Sequence, residues 1–207
     1  YEYHNIDGRF EFHKNKCIIL TSFVNKERQS MYLKRVSKWV NSGIYIYLVD
    51  SNNTGFDLIS PNYNQFLFDQ TKEDYYKYHK EDSTHLEIKS ILKIVNHFSL
   101  TEKYDYIYKI TCKYYFDNYK ILDISENVSG NDLIFQKSHN KKYQNSELVG
   151  FKSDKIVNIL NFILKRDIIF EEGLGIIKNQ NYKFKNLNAI KLTDRVKRGD
   201  GSILNYL

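Results

Sequence analysis

The chain has 207 residues, 42% of them hydrophobic and 27% charged, with a formal net charge of +6. That length fits one domain with a sizeable core, and a single Pro beside nine Gly excludes a linker-rich or disordered chain. No apolar run approaches the roughly 18 residues of a membrane span, and Cys17 and Cys112 alone make no disulfide framework. A reducing, cytoplasmic setting is the expectation, with Cys17 buried at the head of an apolar run. The chain opens at Tyr1 rather than Met, which leaves room for a missing flanking segment and for association with a membrane through it or through partners.

In chain order, the run CIILTSF at 17–23 reads as a buried central strand that ends in hydroxyls. Asn25 can cap a helix over 26–40, with Tyr32, Val36, Trp39 and Val40 on one face and Gly43 in the terminating turn. IYIYLVDSNN at 44–53 is a second strand, running out into Asp50 and Ser51, and QFLFDQ at 65–70 a short third. A helical region from 72 to 99 carries Ile88, Ile91, Leu92, Val95 and Phe98 at helical spacing. YDYIYKITCKYYF at 104–116 alternates as a strand, with Tyr106, Tyr108 and Ile110 on one face and Ile107, Lys109 and Thr111 on the other. Strands at 132–137 and 146–152, a helix from Ser153 to Lys165, a helix at 168–178, a strand at 186–192 and a polar tail follow.

Strands alternating with helices in the first half predict an α/β fold with a largely parallel sheet. The strands at 132–137 and 146–152 stand too close for a helical crossover, so the sheet is expected to be mixed. In open α/β sheets ligands bind beyond the carboxyl ends of the strands. Three strands here end in polar groups at that side: Thr21-Ser22, Asp50-Ser51 and Thr111-Cys112-Lys113. The last of them is either a plain edge strand or the floor of a site, and the threefold coincidence favours the site.

Several chemistries are missing. The turn after residue 23 lacks the glycines of dinucleotide-binding and P-loop fingerprints. There is no zinc spacing of cysteines, no metalloprotease motif and no nucleophile elbow. His79 and His85 read as solvent-facing helix residues. YYKYHK and KYYFDNYK interleave bases with aromatics and could stack nucleobases. With 18 Tyr in the chain such clusters arise by chance, and a nucleic-acid partner is not expected.

The run YDYIYKITCKYYF, a helix carrying LEIKSIL before it and NSELVGFK after it, resembles small glycosyltransferases of the A-type fold found in bacteria and large DNA viruses. In those proteins a strand reading Lys-Ile/Leu-Thr-Gly-Arg-Tyr follows a helix with a Glu in its first turn; the likeness covers residues 17–165 and, more loosely, the rest to the end. This chain has Cys112 where the pattern has Gly and Lys113 where it has Arg, which keeps the charge and loses the bidentate fork. The resemblance implies one nucleotide-diphospho-sugar transferase domain, a central mixed, mostly parallel sheet flanked by helices. It implies a nucleotide-sugar donor, a UDP-sugar in the first instance, and a glycan or glycoconjugate acceptor.

On the same resemblance, Thr21, Ser22 and Phe23 lie by the base and ribose, and Asp50 and Ser51 beside the nucleoside. Glu87 faces the strand tip, while Lys109, Thr111 and Lys113 line the diphosphate or sugar. Lys197, Arg198 and Asp200 in VKRGDGS are candidates for a closing loop that meets the diphosphate, a frayed tail being the alternative. Glu147 is the candidate catalytic base. Many members hold Mn²⁺ or Mg²⁺ with Asp-x-Asp at this strand end; here the tip is Thr-Cys-Lys, so other carboxylates (Asp200 among them) or cationic side chains must take that part. A nucleotide- or carbohydrate-binding module without turnover, and less favourably a nucleic-acid-binding protein, remain as alternatives.

Overall fold

The computed structural model describes residues 15–79, 83–123, 129–136, 143–197 and 203–207. A seven-stranded sheet, ordered β3-β2-β1-β4-β6-β5-β7, runs through it. Its strands are β1 (Lys16–Ser22), β2 (Tyr45–Asp50), β3 (Tyr63–Leu67), β4 (Tyr106–Thr111), β5 (Leu133–Phe135), β6 (Leu148–Lys152) and β7 (Phe184–Asn186). β1 to β4 are mutually parallel, β6 runs against both β4 and β5, and β7 is parallel to β5. The α/β class and the mixed, mostly parallel sheet flanked by helices are as expected.

β1 and β4 are covered on both faces, which is why β1 reads as a continuous apolar run and β4 keeps both of its alternating faces buried, Lys109 included. On one face, Ile18, Leu20, Tyr106, Tyr108 and Ile110 pack under Tyr32, Val36 and Trp39 of α1 (Gln29–Val40). On the other, Cys17, Ile19 and Ile107 pack under α3 (Ser83–His97), α5 (Ser153–Arg166) and α6 (Phe170–Lys178). Trp39 anchors the first layer: its indole N–H donates to the carbonyl of Tyr114 at 2.9 Å, and its ring meets Tyr115 and Phe116 edge-on, each at 5.0 Å. Gly43 ends the turn after α1 with φ +77°, the left-handed conformation anticipated for it. Asn25 accepts the Arg28 N–H with its side chain, capping the turn that precedes α1 rather than the helix itself.

Several boundaries differ from the sequence reading. The helical region at 72–99 is broken into α2 (Tyr76–His79), α3 and then α4 (Leu100–Lys103), with Ser99 at φ 50° at the last break. Ser153 is the first residue of α5 and not its cap; its backbone N–H is held by Asp105 O at 2.9 Å. His85 is buried, not solvent-facing, because the first turns of α3 pack against the end of α5 and set its Nε2 3.3 Å from Asp167. No single strand covers 186–192, where β7 ends and β8 (Lys191–Lys197) begins; β8 runs on into the segment read as a polar tail and forms a hairpin there with β9 (Ile203–Tyr206). It is tied down because Leu187, Ile190, Leu192 and Leu207 complete the α1-side core, and Ile190 and Leu207 exchange backbone hydrogen bonds. Among the described residues no helix is long and apolar enough to cross a membrane.

Candidate functional site

Strand register assembles the site. Pairing of β1 with β4 sets Thr21 beside Thr111, and pairing of β1 with β2 sets Ser22 beside Asp50. The three polar strand ends therefore lie side by side. Because β6 runs against β4, its entry arrives at the same end, where the Thr111 N–H donates to Glu147 O at 2.9 Å. A cavity of about 590 Å³ opens there, within the size range of small-molecule sites.

Thr21, Ser22, Phe23, Ser51, Glu87, Thr111, Lys113 and Glu147 all line this cavity. The alternative reading of the 104–116 strand, a plain edge, is excluded by topology: β4 is paired on both sides, by β1 and β6. Glu147 accepts from Gln136 Nε2 at 3.1 Å, and Gln136 in turn accepts the Leu148 N–H at 2.7 Å, so a buried amide fixes the base candidate on its strand. Cys112 is buried beneath the floor, where burial pushes its thiol well up, away from thiolate. Cys17 is buried likewise, with the same effect on its thiol.

Two expected residues sit elsewhere. Asp50 does not line the cavity beside a nucleoside; it is fully buried and used by its own chain. Its Oδ1 accepts from Val24 N at 2.8 Å and Ser22 Oγ at 3.1 Å, and its Oδ2 from Thr54 N at 2.8 Å and Gly55 N at 3.2 Å. Lys109 does not line a diphosphate either. Its side chain is wholly buried under the floor, with Nζ 2.8 Å from Glu87 Oε1, 3.1 Å from Thr111 Oγ1 and 2.5 Å from Ser146 O. The outward face of β4 is covered by α3 and α6, and Lys109 is tolerated there because Glu87 matches its charge. Lys197 ends β8, while Arg198 and Asp200 lie outside the described residues.

Residues that the sequence did not assign to a site also line it, among them Arg28 and Tyr32 from the start of α1, Gln70, Tyr76 and Thr84 on the α2–α3 side, and Ser146 with Glu171 from the β6–α6 side. Glu171 accepts from Ser146 Oγ at 2.5 Å. Arg28 could have been noticed as a cation in the loop after the first polar strand end. Burial pushes the Tyr32 hydroxyl up, against a smaller opposing pull from Arg28. Among the described residues the cavity thus carries two cations, Arg28 and Lys113, and three carboxylates, Glu87, Glu147 and Glu171. Among the described residues no three His, Cys, Asp or Glu side chains group closely enough to hold a metal ion.

No family model matches the chain, and no curated protein matches it. Among solved structures it is similar to a glycosyltransferase involved in the glycosylation of the major capsid of PBCV-1, with TM-score 0.49, 8% identity, and 84% of this chain and 81% of that chain covered. It is also similar to the 4-diphosphocytidyl-2C-methyl-D-erythritolsynthase from Anaerococcus prevotii DSM 20548, with TM-score 0.44, 11% identity, and 84% and 89% covered. At these scores neither likeness carries an argument about function, which has to come from the site itself.

Proposed function

We propose that the chain is a glycosyltransferase that moves a sugar from a nucleotide-sugar donor, a UDP-sugar in the first instance, to a hydroxyl of a glycan or glycoconjugate. The observation that carries this reading is the convergence of four strand ends, from β1, β2, β4 and β6, on one polar cavity of about 590 Å³ with cations and carboxylates both in its lining. Cations suit a diphosphate, and carboxylates suit the hydroxyls of a sugar. In this reading Phe23, Ser22 and Ser51 take the nucleoside end, and Arg28 and Lys113 neutralise the diphosphate.

The acceptor oxygen attacks the anomeric carbon, the bond from that carbon to the diphosphate oxygen breaks, and the nucleoside diphosphate leaves with the bonding pair. Glu147, a carboxylate fixed by Gln136, takes the acceptor's proton. The described carboxylates do not fit a divalent cation as a cluster, and Mn²⁺ enters as an arm of the test.

The test is a thermal-shift series with UDP, GDP, CMP and their sugars, with and without Mn²⁺, because a ligand that binds only the folded state raises the midpoint. A ligand at a hundredfold excess over its Kd adds about 2.7 kcal/mol. UDP and UDP-sugars are expected to shift the midpoint most. No shift from any nucleotide at millimolar concentration sinks the reading. Binding without sugar transfer to any acceptor in a panel would leave a binding module in its place.

A further inference from the structure

We infer that Glu87 is a fixed acceptor for a hydroxyl of the bound sugar, and that Lys109 is the positioning residue that holds it. This rests on the glycosyltransferase reading and deepens it, by assigning the carboxylate side of the cavity to the sugar rather than to phosphate.

Helix spacing sets the direction of Glu87. Glu87 stands four and seven residues before Ile91 and Ile94, both fully buried, so it continues the stripe by which α3 packs on the sheet. Its side chain is therefore aimed at β1 and β4 rather than at water and is only 22% exposed. A carboxylate in that place needs partners. It has two: Thr21 Oγ1 donates at 2.7 Å, and Lys109 Nζ stands at 2.8 Å. Both fall on Oε1. That leaves Oε2 as the oxygen that Glu87 presents to the cavity it lines.

Lys109 cannot be a ligand group itself. Its ammonium has three hydrogens, and Glu87, Thr111 and Ser146 supply three acceptors around it. Its role is to hold Oε1 in place and to match the charge of Glu87. An acceptor held in this way loses little freedom when a ligand arrives. A carboxylate oxygen repels phosphate and takes O–H or N–H donors, so the ligand portion at Glu87 is a polyol. The phosphates belong with Arg28 and Lys113, the cations of the same cavity among the described residues.

The test compares each nucleotide sugar with its own nucleoside diphosphate by titration calorimetry, using UDP, UDP-glucose, UDP-galactose, UDP-N-acetylglucosamine, GDP and GDP-mannose. Glu87→Gln keeps one acceptor for Thr21 and Lys109 and turns the other oxygen into a donor. The affinity ratio of nucleotide sugar to nucleoside diphosphate is expected to fall at least about tenfold, with the diphosphate itself within about twofold of wild type. The double variant Glu87→Gln/Lys109→Met removes both halves of the buried pair, which avoids an unmatched buried ammonium. It is expected to show the same ratio as Glu87→Gln, since the sugar contact that Lys109 supports is already lost with Glu87. Thr21→Val, which takes away one donor to Oε1, is expected to lower the ratio by less. An unchanged ratio in these variants, or equal losses for sugar and diphosphate, overturns the inference alone. A wild-type protein that binds none of the six ligands overturns the glycosyltransferase reading and this inference with it.

Discussion

Asp50 and Glu87 stand at the same end of the sheet, both aimed into the protein, and their surroundings use them differently. Asp50 has both oxygens occupied by its own chain: three backbone N–H groups and a serine hydroxyl reach it, and none of its surface is exposed. Glu87 has one oxygen occupied, by Thr21 and Lys109, and the cavity lies against the rest of the group. The first carboxylate ties the β1–α1 loop to the β2–β3 loop and so shapes that side of the cavity without lining it. The second belongs to the cavity. Whether a buried acid is structural or functional is thus decided by how many of its lone pairs the fold already fills.

The largest effect is expected at Asp50. Asp50→Ala leaves the N–H groups of Val24, Thr54 and Gly55 without their acceptor in a buried corner, each at a cost of about 1–3 kcal/mol that does not add fully. A loss of about 3–5 kcal/mol in urea unfolding is expected, at the upper end for a single substitution. A loss under about 1 kcal/mol would mean that the corner is not held by this side chain. Gly55→Ala tests the same corner from the backbone. Gly55 sits at φ +61°, and a Cβ there would stand 2.6 Å from Gln65 Oε1 and 2.7 Å from a Leu67 methyl. Strain of that kind costs about 1–3 kcal/mol. Thermal denaturation should place Gly55→Ala between wild type and Asp50→Ala; a variant as stable as wild type contradicts the tight corner.

Much of this end of the molecule was legible in the sequence. Thr21-Ser22, Asp50-Ser51 and Thr111-Lys113 were visible as polar ends of apolar runs, and parallel pairing alone brings them together. The short spacing between 132–137 and 146–152 signalled the reversed strand that delivers Glu147. The roles of Asp50 and Lys109 were not legible. Period-two alternation separates the faces of a strand but does not say which face is covered, so Lys109 read as lining the diphosphate or sugar, whereas Glu87 of α3 and Phe170 of α6 close over it. Asp50 read as a ligand group because its donors are backbone N–H groups, which every residue has and no side-chain pattern reveals. Arg28, Tyr76 and Glu171 come from three separate segments, and only the packed fold brings them to one cavity.

The smallest effect on stability, and the sharpest division between scaffold and site, is expected at Lys113. It follows β4, lines the cavity, and has its ammonium 5.1 Å from the centre of the Tyr114 ring. A partly exposed cation of this kind contributes less than about 1 kcal/mol to folding. Lys113→Ala should therefore melt close to wild type, unlike Asp50→Ala and Gly55→Ala. A charge-assisted contact to phosphate is worth about 1.5–3 kcal/mol, so its affinity for UDP should fall about ten- to a hundredfold. Lys113→Arg, which supplies a fork able to hold two phosphate oxygens, should bind UDP at least as well as wild type. The pattern at Lys113 should also be the reverse of that at Glu87: Lys113→Ala weakens UDP and UDP-glucose alike, whereas Glu87→Gln weakens only the sugar. A Lys113→Ala variant that binds UDP like wild type would take the diphosphate away from this strand end and leave Arg28 as the described cation of the cavity to receive it.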